Sequence, residues 1–201
     1  AVLSANQLKV MSASQVKAIE TGDLAGLTSK QLVSLTTDQA KALTSAQVIA
    51  LNSKQISGLG SAQVAAFTTQ QINAIETRDL VALKVSQIAA LTVGQVSKLS
   101  TDSVKALKGS QVSALETGDF VALKVAQVSA LTSSQVSVLS VNQLKVMGTD
   151  QVRAIETGDL AGLTEKQLVS FTTDVVKALT AQQVVALNAK QISGLGAAQV
   201  A

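Results

Sequence analysis

The chain has 201 residues, 47% of them hydrophobic, which is enough apolar material for a buried core and too much for a disordered tract. It contains no His, Cys, Pro, Trp or Tyr and three Phe, so the commonest general base, the thiol nucleophile, the usual zinc ligands and any disulfide framework are excluded. A net charge of +3 from scattered Lys gives no nucleic-acid footprint, and no apolar run approaches the roughly 18 residues that span a bilayer.

From Leu3 a large apolar residue recurs every eight positions, through Met11, Ile19, Leu27, Leu35 and Leu43, without a slip to Leu195. A second apolar series runs five residues behind it, from Leu8, Val16 and Leu24 to Val200, and only Ala40 in it is small. Numbered from the first series, with octad 1 at residues 3–10, twenty-five octads share the consensus L-T-x-x-Q-V-x-A. Position 5 is Gln in 19 octads, position 2 is Thr or Ser in about half, and position 8 is mostly Ala or Gly.

One unbroken helix does not suit this period, because eight residues at 3.6 per turn leave about 80° of drift per repeat and no lasting apolar stripe. The pattern from position 2 to position 5 is S/T-x-x-Q, the capping box, so each octad restarts a helix. The spacing predicts a helix of roughly two turns from position 3 to the next position 1, with positions 6 and 1 on one face. Helices so short are marginal alone and must stack on near-copies of themselves. The expected fold is therefore an all-α solenoid of short capped helices, one per octad, running as a single continuous array over 1–201. The alternative is a β-solenoid with two octads per coil. It draws on the Val or Ile at position 6 in 16 octads and on an amide ladder of position-5 Gln, but 12 Gly are few for its many corners.

Along the chain, Glu20-Thr21-Gly22-Asp23 is the first departure from consensus. Thr44 with Gln47 then gives the plain capping box. At 56–64 the run ISGLGSAQV puts Gly58 at position 8 and Gly60 at the cap; no Gly-Lys-Ser/Thr follows, so it reads as local tightness and not as a phosphate loop. Glu76-Thr77-Arg78-Asp79, Glu116-Thr117-Gly118-Asp119 and Glu156-Thr157-Gly158-Asp159 repeat the first departure, and Thr132 with Gln135 repeats the box. These four E-T-x-D octads suit an altered cap in which Thr or the carboxylates take the backbone donors. Two carboxylates and a hydroxyl are also hard oxygen ligands for a cation, yet too few for a closed calcium cage. A paired-carboxylate catalytic site is at odds with four copies in a repeat tract. Lys108, Glu116 and Lys124 hold position 2 of consecutive octads, and Glu76 and Lys84 do likewise, so in-register stacking would pair them. Val33, Ile49, Val81 and Val121 at position 7 would form a partner patch or lie half-buried between coils. Finally, 138–201 repeats 2–65 at roughly four positions in five, the mark of a block duplication, and the shared octad phase of Ala1 and Ala201 suggests a segment of a longer array.

The stretch ALTSAQVIALNSKQISGL at 42–59 resembles the L-T-x-x-Q-V/I-x-A-L tracts of very large exported or surface proteins of bacteria, often labelled adhesin, haem-utilisation or RTX-like. The resemblance covers essentially the whole chain and implies an extracellular or cell-surface location and a scaffold or adhesive role. It carries over no catalytic residue. Haem ligation is poorly served, since Met11 and Met147 are the only candidate axial ligands. The expectation is thus a structural or adhesive module acting as spacer, stalk or filament-forming segment, and not an enzyme. No catalytic, cofactor-binding or metal residue is assigned. Expected partners are other copies, through repeat ends or faces, and cell-surface or matrix components, without nucleic acid or membrane insertion. The alternative function is a binding solenoid whose groove engages a protein, peptide or glycan.

Overall fold

The computed structural model describes residues 3–196 and 199. Among them are twenty-four α-helices and no strand, one helix in each of octads 1 to 24. The helical solenoid is realised and the β-coil is not. Each helix opens at position 3 with position 2 as an extended N-cap, as in Ser45–Ile49 behind Thr44, whose φ and ψ are −76° and 159°. The helices are four to six residues long, shorter than the two turns expected. The difference lies at position 1. Leu43 and Leu59 already have ψ of 141° and 153°, so the chain turns there and does not stay helical. The N–H of position 1 still reaches back to the position-6 carbonyl, as in Leu51 to Val48 at 3.2 Å, and this tight turn aims both apolar side chains inward.

The chain divides into two compact units, Ala1–Leu99 and Ser100–Ala201. Within each unit, helices pack against the helix three octads further on. Thr37–Ala42 lies on Ser61–Ala66 in the first unit, and Thr157–Ala161 lies on Ala181–Ala186 in the second. One coil is therefore three octads, or 24 residues. Positions 1 and 6 fill the core of each unit: Leu32, Ile56 and Leu80 in the first and Phe120, Leu144 and Leu160 in the second are fully buried. Val200, the last member of the position-6 series, lies outside the described residues.

Stacking by threes corrects the expected charge pairing. Octads that follow one another lie on successive sides of a coil, not on top of each other. Among the described residues Lys108, Glu116 and Lys124 accordingly form no ion pair with one another, and neither do Glu76 and Lys84; the Glu76 carboxylate is paired instead with Arg78 at 3.1 Å.

Candidate functional site: the glutamine seam

The most repeated chemistry in the molecule is the position-5 amide, and it has two duties. In octad 9, Gln71 Oε1 accepts from the N–H of Thr68 at 2.6 Å while the Thr68 hydroxyl accepts from the N–H of Gln71 at 3.2 Å, closing the capping box. The Nε2 of the same side chain donates to the C=O of Ala40 at 3.0 Å and of Leu43 at 2.6 Å, in the coil before. The second unit repeats this: Gln183 Nε2 donates to Val152 and Ile155 at 3.0 and 2.9 Å, and Gln143 Nε2 to Val112 and Leu115 at 2.9 Å each. The acceptors are carbonyls at the C-terminal end of a short helix: that of position 6 also takes the N–H of position 1, as Ala40 does from Leu43 at 3.3 Å, and that of position 1 lies beyond the helix's own bonds. One buried side chain thus caps its own helix at the N-terminus and an earlier helix at the C-terminus, with a net value of about 1 kcal/mol per bond. The amide ladder envisaged for a β-coil does not form, because each Gln addresses backbone.

The E-T-x-D octads depart from this pattern in a definite way. Glu20, Glu76, Glu116 and Glu156 are N-caps whose side chains accept no capping bond, and Thr21, Thr77, Thr117 and Thr157 are the first helical residues. Of the groups expected to take the backbone donors, the Glu carboxylates make no capping bond and the Asp carboxylate does. The Asp keeps half of the Gln role: Asp119 accepts from the N–H of Glu116. Burial pushes the Asp119 carboxyl above the ordinary carboxylate range, the Glu116 N–H opposes this, and the Glu116 charge adds to the rise. A carboxylate cannot donate to the carbonyls below it, and in two of the four octads a hydroxyl in the coil before donates to it instead, Ser53 to Asp79 and Ser133 to Asp159. That pairing was not read from the sequence.

Position 8 lies over position 3 of the coil before, and where the two approach most closely one of them is glycine: a Cβ on Gly58, at position 8, would come within 2.3 Å of Ser29 Cβ, and one on Gly109, at position 3, within 3.2 Å of Val138 Cγ2. Gly58 is thus local tightness, as its sequence context suggested. Val33, Ile49 and Val121 are 46, 48 and 56% exposed and Val81 is half-buried, which puts position 7 on the outer edge of the coils.

Shallow grooves lie at the corners between octads. One of about 510 Å³ in the first unit is lined by Lys17, Lys41, Thr44, Thr68 and Gln70. One of about 450 Å³ in the second is lined by Asp102, Lys105, Thr132, Glu156 and Asp159. Among the described residues no three carboxylates gather closely enough to hold a metal ion, and no helix is long and apolar enough to cross a membrane.

The ALTTAQ repeat family model matches at residues 16–53, 48–75, 72–108, 112–149 and 152–189. The chain belongs to the ALTTAQ repeat family. The six letters of that name are positions 8, 1, 2, 3, 4 and 5 of the octad, ending on the seam Gln. No match is found among curated proteins. An ALTTAQ array of this kind is a structural repeat module: its chemistry is spent on joining one coil to the next.

Proposed function

We propose that this ALTTAQ array is a spacer or stalk in an exported protein, displayed outside the cell, adhesive through its outward positions and free of catalytic activity. The observation that carries the reading is the polarity of a coil. Each coil offers Gln Nε2 donors toward the coil before it and unpaired carbonyls toward the coil after it, as Gln71 and Leu43 do. Coils therefore add without new chemistry, within one chain or head to tail between copies, and such a heterologous contact grows open-ended where the rotation between copies does not close a ring. What varies between octads is positions 3, 4 and 7, which carry mainly Lys, Ser, Thr, Ala and Val. That composition supports contact with cell-surface or matrix components more than it supports catalysis.

Display is tested by treating intact cells of the source organism with protease or with antibody raised against the array. Removal or labelling without lysis is expected; a signal that appears only after lysis contradicts the reading. Head-to-tail association is tested by sedimentation of the purified chain over a concentration series. Open-ended growth in mass is expected, and a mass fixed at one chain contradicts it.

A further inference from the structure

A chain of near-identical octads has a registration problem that its consensus does not solve. The seam Gln donates to backbone carbonyls, which every octad offers alike, and positions 1 and 6 present similar apolar side chains throughout. A coil that slipped by one octad would keep all of these contacts, and weakly specified register of this kind invites misassembly.

We propose that in the second unit one column of stacked octads is a register key, and that a break in consensus is what it is cut from. The first unit has a column of the same form, octads 4, 7 and 10, residues 27–34, 51–58 and 75–82. Its middle octad is matched on both sides: Gly58 lies over Ser29, where a Cβ would come within 2.3 Å of the Ser29 Cβ, and Ser53 donates to Asp79. In the second unit the column is octads 14, 17 and 20, residues 107–114, 131–138 and 155–162. Its middle octad is matched in the same two places: Val138 lies over Gly109, and Ser133 donates to Asp159.

Slippage destroys the last of these matches. Shifted one octad either way, Asp159 would meet Val125 or Val141, neither of which has a hydroxyl to give, and Asp159 is only 6% exposed. The glycine contacts do not select: Val138 would meet Thr101 or Thr117 and Ser29 would meet Ala50 or Ala66, and the native stack already sets Val146 over Thr117 and Ala82 over Ser53. Asp79 does not discriminate, because Ser45 and Ser61 flank Ser53, so the selection falls to Asp159 in the second unit. The cost falls on the wrong pairings and leaves the right one intact, the logic of selection against alternatives. This inference does not depend on where the module is displayed.

The chain has no cysteine, so introduced pairs can carry spin labels without interference. Ser129→Cys with Arg153→Cys reports the correct register, since the helices Val125–Ser129 and Thr149–Arg153 are stacked neighbours. Ser129→Cys with Lys145→Cys reports a coil shortened by one octad. Both pairs are placed in the full chain and in the variant Ser133→Val with Asp159→Gln, which returns octad 20 to a seam Gln and erases the key. After unfolding and refolding, the unmodified key is expected to give strong spin–spin broadening for 129/153 and weak for 129/145. The erased key is expected to lose part of the first and gain part of the second while the far-UV circular dichroism stays helical. Asp159→Gln alone carries the same expectation should the double variant lose its helical signal. Spectra indistinguishable between key and erased key, for both pairs, overturn the proposal.

Discussion

Gln71 and Leu43 stand 28 residues apart in the chain, and the side-chain nitrogen of the first lies 2.6 Å from the carbonyl oxygen of the second. The other end of the same amide accepts the N–H of Thr68 at 2.6 Å. Because both ends are engaged and Gln71 is buried, the site tells amide from carboxylate. Gln71→Glu keeps the cap acceptor, loses the donor and sets a charge against two carbonyls, so a loss of about 3 kcal/mol is expected. Gln7 is exposed and serves only its own cap at Ser4, so Gln7→Glu is expected to change stability by less than about 0.5 kcal/mol. Urea denaturation of the two variants checks the contrast.

The caps offer an independent reading. The Thr44 hydroxyl accepts from the N–H of Gln47 at 3.1 Å, and Thr44→Ala should cost about 1 kcal/mol. Lys84 holds the same position with no side-chain capping bond, and Lys84→Thr should gain a comparable amount, about 0.5–1 kcal/mol. Opposite shifts of the thermal midpoint are the expected result.

Two glycines at different octad positions contrast in the structure. Nothing lies within 4 Å of a Cβ added to Gly158, inside the helix Thr157–Ala161, so Gly158→Ala should stabilise by about 0.5–1 kcal/mol. The Cβ of Gly58→Ala would sit 2.3 Å from that of Ser29, so this change should destabilise by about 1–3 kcal/mol. The double variant with Ser29→Gly should recover most of that loss in a denaturation double-mutant cycle.

Asp119 gives a pH dependence of unusual sign. Its folded carboxyl titrates above the ordinary value, chiefly because it is buried, so between the unfolded and folded values the native state holds the extra proton. Its ionised form is a burden above the folded value, and that burden is relieved as pH falls toward the unfolded value. Asp119→Gln, which keeps an acceptor for the Glu116 N–H, should remove this relief. The stability difference between the two proteins should therefore be largest near neutral pH and shrink on acidification. A difference that is flat or widens toward acid contradicts the assignment.

Much of this was legible in the residues. The eight-residue period, the capping boxes from Thr44–Gln47 onward and the buried pair at positions 1 and 6 all follow from periodicity and cap chemistry. The three-octad coil was not legible, because each octad presents the same apolar pair whatever number completes a turn. That is why Lys108, Glu116 and Lys124 were aligned with the wrong neighbours. The second duty of Gln had a signal that a sequence reading can use: a capping box accepts Glu as readily as Gln, yet no octad has Glu at position 5. Excluding the carboxylate of that length means that the nitrogen is needed. The Ser53–Asp79 and Ser133–Asp159 pairs stayed hidden because their partners are 26 residues apart, an offset that acquires meaning only once the coil is known.

Spin–spin broadening across three labelled pairs most directly tests the coil of three octads. Labels at 129 and 137, at 129 and 145, and at 129 and 153 all occupy exposed position-7 sites, 8, 16 and 24 residues apart. Stacked helices lie about 10 Å apart, so the most distant pair in sequence should show the strongest coupling. Strongest coupling at a separation of 16 would mean two octads per coil, and coupling that fades steadily from 8 to 24 would mean no coil at all; either contradicts the account.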